Sequence, residues 1–192
     1  MVKYKIYLFR HGQTVFNRDS KFTGFSDAKL TKTGKDDAKI VAIRLKDKKF
    51  QVAFHTSLSR SKDTLKEVLK FHPECQILFE DDRIIERNYG SLNGKTHLYA
   101  VEKYSPEQYD SWHRGFKDRP PKGESFADVE KRVKSFISYL KEFVKKEKVN
   151  VAISCHGNSI RLFRKIMENA SEKQACEWYI PYDNFFEYEV EG

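Results

Sequence analysis

The sequence predicts an α/β fold in which helices cover both faces of a mostly parallel sheet, giving a three-layer α/β/α sandwich. Strand-like runs alternate with amphipathic helical segments along the chain, as they do in βαβ units. The run "VNVAISC" (149–155) is nearly continuous and rich in β-branched residues, which is typical of a strand covered on both faces. The length of 192 residues fits one domain with a substantial core.

Apolar runs bounded by turn residues predict the strands in chain order. They lie at residues 4–9, 52–56, 76–79, 149–155 and 185–190. Between the first two strands, residues 31–48 are predicted to form a helix. Its apolar stripe at helical spacing consists of Ala38, Val41, Ala42 and Leu45.

Two further helical segments carry signals for their N-termini. Residues 59–72 have an apolar stripe, and Ser59 is the predicted N-cap of this helix. Residues 125–147 form the longest predicted helix, and Ser125 with Asp128 predicts a capping box at its start. Both helices are expected to pack an apolar face against the sheet.

Residues 88–123 differ in composition from the rest of the chain. They are rich in Tyr, Trp, Gly and Pro and contain short helical pieces at most. Segments of this kind form lids and binding loops on a rigid scaffold. We therefore predict a single domain, residues 1–192, with a lid insertion around residues 88–123.

The composition limits the classes of partner. A net charge of +8 favours anionic partners such as phosphorylated metabolites, nucleic acid or a membrane surface. In residues 130–148, however, lysines alternate with glutamates, as on the solvated face of a helix. No apolar run approaches the roughly 20 residues of a membrane span, and the N-terminus lacks a signal-peptide pattern. We expect a soluble cytoplasmic protein with no membrane partner.

The cysteines predict structural thiols in a reducing compartment. Their number is odd, 3 in all, and they show no metal-type spacing. Cys155 lies within the apolar run "VAISC", where a thiol acts as a small hydrophobe. We therefore expect no disulfide and no catalytic cysteine.

Cations and imidazoles follow several predicted strands. Arg10 and His11 follow the first strand, Arg60 lies just after the second, and His156 follows "VAISC". Taken singly, a histidine is more often a surface or core residue than a catalyst, and an arginine such as Arg10 can simply pair with a carboxylate. The C-terminal ends of parallel strands lie at one edge of a sheet, however, and ligands bind there. Together the four side chains predict a cationic pocket for a tetrahedral dianion.

Phosphoryl transfer is the chemistry that suits such a pocket. It depends on positioning and on electrostatic stabilisation of the phosphoryl oxygens, which arginines contact in pairs. A neutral imidazole can attack phosphorus, and a carboxylic acid must protonate the leaving oxygen. Glu86, in "IIERNYG", is the predicted acid. We predict no metal, because the two histidines lack further nearby ligands and adjacent arginines would repel a cation.

Several segments resemble, in order, those of the histidine phosphatase (phosphoglycerate mutase-like) superfamily. They include "LFRHGQTVFN" (8–17), "TSLSRSKDT" (56–64), "ERNYGSLNG" (86–94) and "SCHGNSIR" (154–161). The likeness runs along nearly the whole chain. Residues 102–121 resemble the substrate lid of the short cofactor-dependent phosphoglycerate mutases.

This resemblance implies a role for each matching residue. His11 would be the phosphorylated nucleophile, and Glu86 would be the proton donor and acceptor. Arg10, Arg60 and His156 would hold the phosphoryl group. The substrate-binding residues would be Asn17, Thr23, Gly24, Tyr89, His97, His113, Arg114, Gly157 and Asn158.

The resemblance implies a mutase that interconverts 3- and 2-phosphoglycerate. It would be primed by 2,3-bisphosphoglycerate, with no tightly bound cofactor and no metal. A phosphomonoesterase using the same His11 chemistry is the alternative. His97 stands where the mutases carry lysine and His113 where they carry arginine, and the short stretch after the last strand is expected to leave the site open to water.

Both the mutase and the phosphomonoesterase hypotheses predict a small phosphorylated metabolite as the partner. A non-catalytic protein that binds nucleic acid through its positive charge is a third, remote hypothesis, because it leaves the two strand-end His-Gly pairs unexplained. Nucleic acid is therefore not an expected partner. Members of the superfamily occur as monomers and as homo-oligomers, and the sequence is compatible with either.

Overall fold

The computed structural model describes residues 2–192 and contains a five-stranded sheet. Its strands are β1 (Lys3–Arg10), β2 (Val52–His55), β3 (Ile77–Glu80), β4 (Val151–Cys155) and β5 (Phe185–Glu191). Their order is β3-β2-β4-β1-β5. All neighbours pair in parallel except β5, which is antiparallel to β1. The α/β fold with a mostly parallel sheet is confirmed, and the predicted strand ends differ from these by at most two residues.

The helices connect these strands. They are α1 (Val15–Arg18), α2 (Lys32–Leu45), α3 (Ser59–Leu69), α4 (His97–Lys103), α5 (Pro106–Arg114), α6 (Phe126–Glu147), α7 (Gly157–Met167) and α8 (Glu172–Glu177). The predicted capping box of α6 is confirmed: Ser125 caps the backbone N–H of Asp128, and the Asp128 side chain accepts from Ser125. Both interactions satisfy backbone donors that the helix leaves free at its N-terminus.

The N-cap predicted for α3 is wrong. Ser59 is the first residue of the helix, and the N-cap is Leu58, whose side chain makes no capping hydrogen bond. The backbone N–H and the hydroxyl of Ser59 donate instead to Oδ1 of Asp27, at 2.9 and 2.8 Å. A carboxylate from a distant loop thus replaces the local cap, and no local sequence pattern reports such a partner.

Alternation along the strands produces two separate cores. In β1, Ile6 and Leu8 belong to the cluster that includes the apolar residues of α6 and α7. Tyr7 and Phe9 belong to the opposite cluster, which includes those of α2 and α3. Successive side chains of a strand point to opposite faces, so both faces are covered and the sandwich has three layers. All residues of β4 are buried, as its sequence predicts.

The lid segment has a small core of its own. Phe22, Tyr89, Leu92, Ala100 and Trp112 form a buried cluster distinct from the two that flank the sheet. Because α4 and α5 are short, their stability depends on this packing. The division into one domain with a lid insertion around residues 88–123 stays a prediction.

The three cysteines, Cys75, Cys155 and Cys176, are free and buried. Burial raises the pKa of the Cys155 thiol, which keeps it protonated and suits an apolar packing role. None of the helices within residues 2–192 combines the length and the apolar character needed to cross a membrane.

Candidate active site

The pairing of β1 with β4 places the two strand-end histidines side by side. Arg10 is in register with Cys155, and the His11 N–H donates to the Cys155 carbonyl at 3.0 Å. His156 follows directly and is the N-cap of α7. The two imidazole centroids lie 5.1 Å apart, and both side chains are buried. The structure confirms the prediction that the C-terminal ends of β1 and β4 lie together at one edge of the sheet.

The tautomer of His11 leaves one ring nitrogen free to act as a nucleophile. Nδ1 lies 2.8 Å from the carbonyl oxygen of Gly12, so Nδ1 carries the proton and donates it. Nε2 therefore keeps its lone pair, and it accepts from Nε of Arg60 at 3.3 Å. Burial, reinforced by Arg60 and Arg10, holds the pKa of His11 well below its usual value of 6.5. The ring is thus neutral at neutral pH.

A close backbone contact fixes the loop that carries His11. A Cβ atom on Gly12 would lie 1.9 Å from the carbonyl oxygen of Gly34, and one on Gly34 would lie 1.9 Å from that of Gln13. Only glycine allows the N-terminus of α2 to pack this closely on the loop. The Gly12 N–H also donates to Thr64 Oγ1 at 3.1 Å. His11 therefore stands on a rigid support.

The two arginines beside His11 are anchored by carbonyl oxygens. Arg60, fully buried, donates through Nη1 to Ser26 O and through Nη2 to Gly24 O, both at 2.8 Å. Arg10 donates through Nη1 to Ile180 O at 2.9 Å, and its guanidinium lies 3.9 Å from the ring centroid of Tyr182. Carbonyls orient a guanidinium without cancelling its charge. Burial lowers the pKa of Arg60 to about 10, so it stays charged at neutral pH.

Among the predicted site residues, Oγ1 of Thr23 and two further buried polar atoms have no protein partner within residues 2–192. Those two belong to predicted phosphate-binding residues. They are Nε of Arg10 and Nδ1 of His156. The other ring nitrogen of His156 lies 2.8 Å from Thr56 Oγ1, which orients the imidazole. Buried polar groups are almost always hydrogen-bonded, so these two atoms are suited to an anionic ligand. We call Arg10, His11, Arg60 and His156 the base of the cleft.

Glu86 is held by backbone amides opposite the histidines. Its Oε1 accepts from the N–H of Arg87 at 2.8 Å and from that of Asn158 at 3.1 Å. The Asn158 side chain in turn donates to the hydroxyl of Tyr89 at 3.2 Å. One ligand atom from each of His11, Glu86 and His156 lies within 4.8 Å of the others. A proton on Glu86 is therefore within reach of a group bound at the base.

The same three residues have the spacing of a metal site, but their surroundings fit an anion better. Nε2 of His11 already accepts from Arg60, and Nε2 of His156 is engaged with Thr56. Two permanently charged guanidiniums, those of Arg10 and Arg60, would repel a divalent cation. The absence of a metal stays a prediction.

A cleft of about 170 Å³ opens above the base, and it contains most of the predicted site residues. Those lining it are Arg10, Asn17, Thr23, Gly24, Glu86, Tyr89, His97, His113, Gly157 and Asn158. Four predicted site residues do not line the cleft: His11, Arg60, His156 and Arg114. The first three are buried, and Nη1 of Arg114 donates to the carbonyl of Cys176 at 2.9 Å. The predicted role of Arg114 in binding substrate stays a prediction.

The far side of the cleft, which we call the distal wall, is aromatic. It consists of Phe22, His97, Tyr109 and His113, whose ring centroids are 4.2 to 6.3 Å apart. The Tyr109 hydroxyl lies 3.1 Å from Nδ1 of His97. Burial lowers the pKa of His97, and it lowers that of His113 to about 3. Both imidazoles are thus neutral at neutral pH.

Several lining residues were not predicted from the sequence. They are Lys21, Phe22, Arg161, Tyr179 and Ile180. Arg161 lies one helical turn after Asn158, so the i, i+3 spacing within "SCHGNSIR" could have identified it. The Ile180 carbonyl accepts from Arg10, and the Tyr182 ring stacks on the Arg10 guanidinium. Neither contact could be identified from the sequence, because such contacts have no characteristic spacing.

Comparisons with known proteins agree with this site. The sequence profile of the histidine phosphatase superfamily (branch 1) matches residues 6–190. A 2,3-bisphosphoglycerate-dependent phosphoglycerate mutase of Cytophaga hutchinsonii is 36% identical over 85% of this chain and 77% of its own length. A 2,3-bisphosphoglycerate-dependent phosphoglycerate mutase 2 of Gloeobacter violaceus is 32% identical over 96% of this chain and 86% of its own.

A solved structure shares the fold at lower identity. The α-ribazole phosphatase of Shigella flexneri superimposes with a TM-score of 0.82 and 22% identity, covering 95% of this chain and 89% of that one. At this identity the likeness concerns the arrangement of strands and helices.

Proposed function

The chain belongs to the histidine phosphatase superfamily, branch 1, and we propose that it transfers phosphoryl groups through a phosphohistidine on His11. The observation that carries this proposal is the unprotonated Nε2 of a neutral, buried His11, which accepts a hydrogen bond from Arg60. The enzyme's reaction is the interconversion of 3- and 2-phosphoglycerate, with 2,3-bisphosphoglycerate as the priming donor. The relatives named as such mutases support this substrate.

The chemistry follows from the positions of the side chains. Nε2 of His11 attacks phosphorus, and the bond from phosphorus to the departing oxygen breaks. Arg10, Arg60 and His156 bind the oxygens of the transferring group. Glu86 gives its proton to the departing oxygen and takes one back from the hydroxyl that later attacks the phosphohistidine. Transfer to the other hydroxyl of the same glycerate skeleton completes a mutase cycle.

A phosphomonoesterase is the second candidate, and the neutral distal wall favours it. His97 and His113 offer no positive charge at neutral pH, whereas holding a mutase intermediate for its second transfer requires tight binding of an anionic acid. A phosphoglycerate released early would leave the phosphohistidine to react with water. Both candidates use the same base of the cleft.

The two candidates are separated by the products. The purified protein is incubated with 3-phosphoglycerate and catalytic 2,3-bisphosphoglycerate, and the products are followed by ³¹P NMR. We expect 2-phosphoglycerate to form without a stoichiometric release of phosphate. Release of free phosphate with no 2-phosphoglycerate would show that the protein is a phosphatase and not a mutase. Neither product, with the fold intact, would contradict both.

Partner and location follow the same reasoning. A small phosphorylated metabolite is the partner that the cleft supports, because its volume is about 170 Å³ and Arg10, Lys21 and Arg161 line it. The cytoplasmic location, the absence of nucleic acid and the oligomeric state stay predictions from the sequence.

A further inference from the structure

Three arginines near the cleft are anchored by a single segment, residues 176–180. The carbonyl oxygens of Cys176, Trp178 and Ile180 each accept a hydrogen bond at 2.9 Å. The donors are Nη1 of Arg114, Nε of Arg161 and Nη1 of Arg10. These acceptors are neutral, so the arginines keep their full charge. The segment orients cations toward the cleft without neutralising them.

Arg161 is the anchored arginine that lines the cleft beyond the base. Its Nη1 donates to Oδ1 of Asn158 at 2.9 Å, and no carboxylate within residues 2–192 forms an ion pair with it. It lies four residues after Gly157, about 6 Å further along the axis of α7. Nη2 and the second hydrogen of Nη1 have no acceptor within residues 2–192, so both nitrogens can donate to a ligand in the cleft that Arg161 lines.

The opposite side of the cleft has no such charge. His97 packs edge-on against Tyr109 and His113 edge-on against Phe22, and burial keeps both imidazoles neutral. An aromatic surface of this kind packs against the uncharged part of a ligand. The other cation that lines the cleft is Lys21, whose Nζ lies 5.4 Å from the ring centroid of Phe16.

We infer that Arg161 is the specificity-determining residue that binds the carboxylate of a phosphorylated acid whose phosphoryl group occupies the base of the cleft. This inference rests on the proposed phosphoryl-transfer function and adds the residue that selects an acid over a neutral alcohol ester. His97 and His113 contact the carbon skeleton. The planar guanidinium donates from two nitrogens to the two carboxylate oxygens, a geometry that lysine cannot reproduce.

The test is a comparison of two ligands that differ in the carboxylate alone. Isothermal titration calorimetry gives the affinities of the full chain for 3-phosphoglycerate and for glycerol 1-phosphate. We expect the wild-type protein to prefer 3-phosphoglycerate by about tenfold or more, since a charge-assisted pair is broken without the carboxylate. In Arg161→Gln this preference should fall below about threefold, while the affinity for glycerol 1-phosphate changes little. Arg161→Lys should restore part of it.

A matched control is available on the same helix. Arg164 lies one turn further along α7, pairs with Glu168 and covers the ring of Trp178. Arg164→Gln should therefore keep the wild-type preference, and urea denaturation of each variant checks the fold. Equal weakening of both ligands in Arg161→Gln would assign Arg161 a structural role and overturn the inference. Loss of the preference for 3-phosphoglycerate in Lys21→Gln, or in a His97→Gln/His113→Gln double variant, would show that those residues bind the carboxylate. That result would also overturn the inference.

The outcome is independent of turnover. A carboxylate preference that disappears in Arg161→Gln, in a protein that transfers no phosphoryl group, would retain the inference about binding and reject the proposed function. Mutase or phosphatase activity with an unchanged preference in Arg161→Gln would retain the function and reject the inference.

Discussion

The base of the cleft and its distal wall are built in different ways. The base stands on the ends of β1 and β4 and on the N-termini of α3 and α7, within the main three-layer core. The distal wall stands largely on α4 and α5, two short helices that share a small separate cluster. The base keeps permanent charges, whereas the wall contains aromatic rings and neutral imidazoles. The difference indicates that the base of the cleft, which stands on the main core, carries out the chemistry. The distal wall, which stands on a small separate cluster, contributes to the choice of substrate.

The largest effect is expected at the base. His11→Ala should lower phosphoryl transfer by at least about 10³-fold, because the phosphohistidine can no longer form. The distal-wall variant His97→Ala is compared with it and should lower the rate of phosphoryl transfer by about tenfold or less. Steady-state rates with 3-phosphoglycerate, together with circular dichroism for the fold, measure both. Losses of similar size in the two variants would remove the distinction between base and wall.

A smaller effect is expected for the proton donor. Glu86→Gln keeps an acceptor for the amides of Arg87 and Asn158 but has no proton to give. Transfer from 3-phosphoglycerate should fall by about 10²- to 10⁴-fold. With p-nitrophenyl phosphate, whose leaving group needs no proton, the loss should be much smaller. The exposed Glu80→Gln serves as control, and an equal loss with both substrates would contradict an acid role.

The histidines of the base should make stability depend on pH. Burial, assisted by Arg60, holds the pKa values of His11 and His156 well below 6.5, so the unfolded chain binds protons that the folded protein does not. Stability is full above pH 6.5 and is lost as the pH falls below it, until the folded-state pKa values are reached. The slope is at most about 1.4 kcal/mol per pH unit for each histidine.

Urea denaturation at several pH values between about 5 and 8 measures this slope. His97 and His113 contribute in the same direction, because burial also lowers their pKa values. His156→Asn removes one of these four groups and should make the dependence on pH shallower. A free energy of unfolding that rises as the pH falls through this range would contradict neutral, buried histidines at the base.

A fourth prediction concerns the attachment of the lid. Arg87 is fully buried and donates to Glu124 O and Trp112 O, both at 2.7 Å. Arg87→Lys cannot reach both carbonyls and should lower the free energy of unfolding by about 2 kcal/mol. KM for 3-phosphoglycerate should rise several-fold more than KM for p-nitrophenyl phosphate. Arg83→Lys, at a partly exposed arginine that pairs with Asp81, is the matched control.

The smallest effect is expected within the wall. Tyr109→Phe removes the hydroxyl that contacts His97 Nδ1 but keeps the ring in the aromatic group. Because the contact joins neutral groups, kcat/KM should change by about threefold or less. A loss of about 100-fold would show that this contact acts on the chemistry, and the wall would then have to be described together with the base.

Local patterns account for what could be predicted. The apolar runs at residues 4–9 and 149–155 identified β1 and β4, and parallel strands place their C-terminal ends together. Arg10, His11, Arg60 and His156 therefore converge as expected. Ser59 shows the limit, because its partner Asp27 is distant in the sequence and close only in the fold.

By itself, the sequence determined the strands, their parallel arrangement and the residue types at the base, since these depend on periodicity and on the position of a residue relative to its own strand. Tertiary structure alone decided the tautomer of His11, the neutrality of His97 and His113 and the orientation of Arg161. The imidazoles are neutral because they are buried, and Arg161 is oriented by the carbonyl of Trp178. The tautomer of His11 depends on the loop conformation that brings the Gly12 carbonyl to Nδ1. Desolvation and carbonyl geometry are properties of packed chains, and no spacing of residue types encodes them.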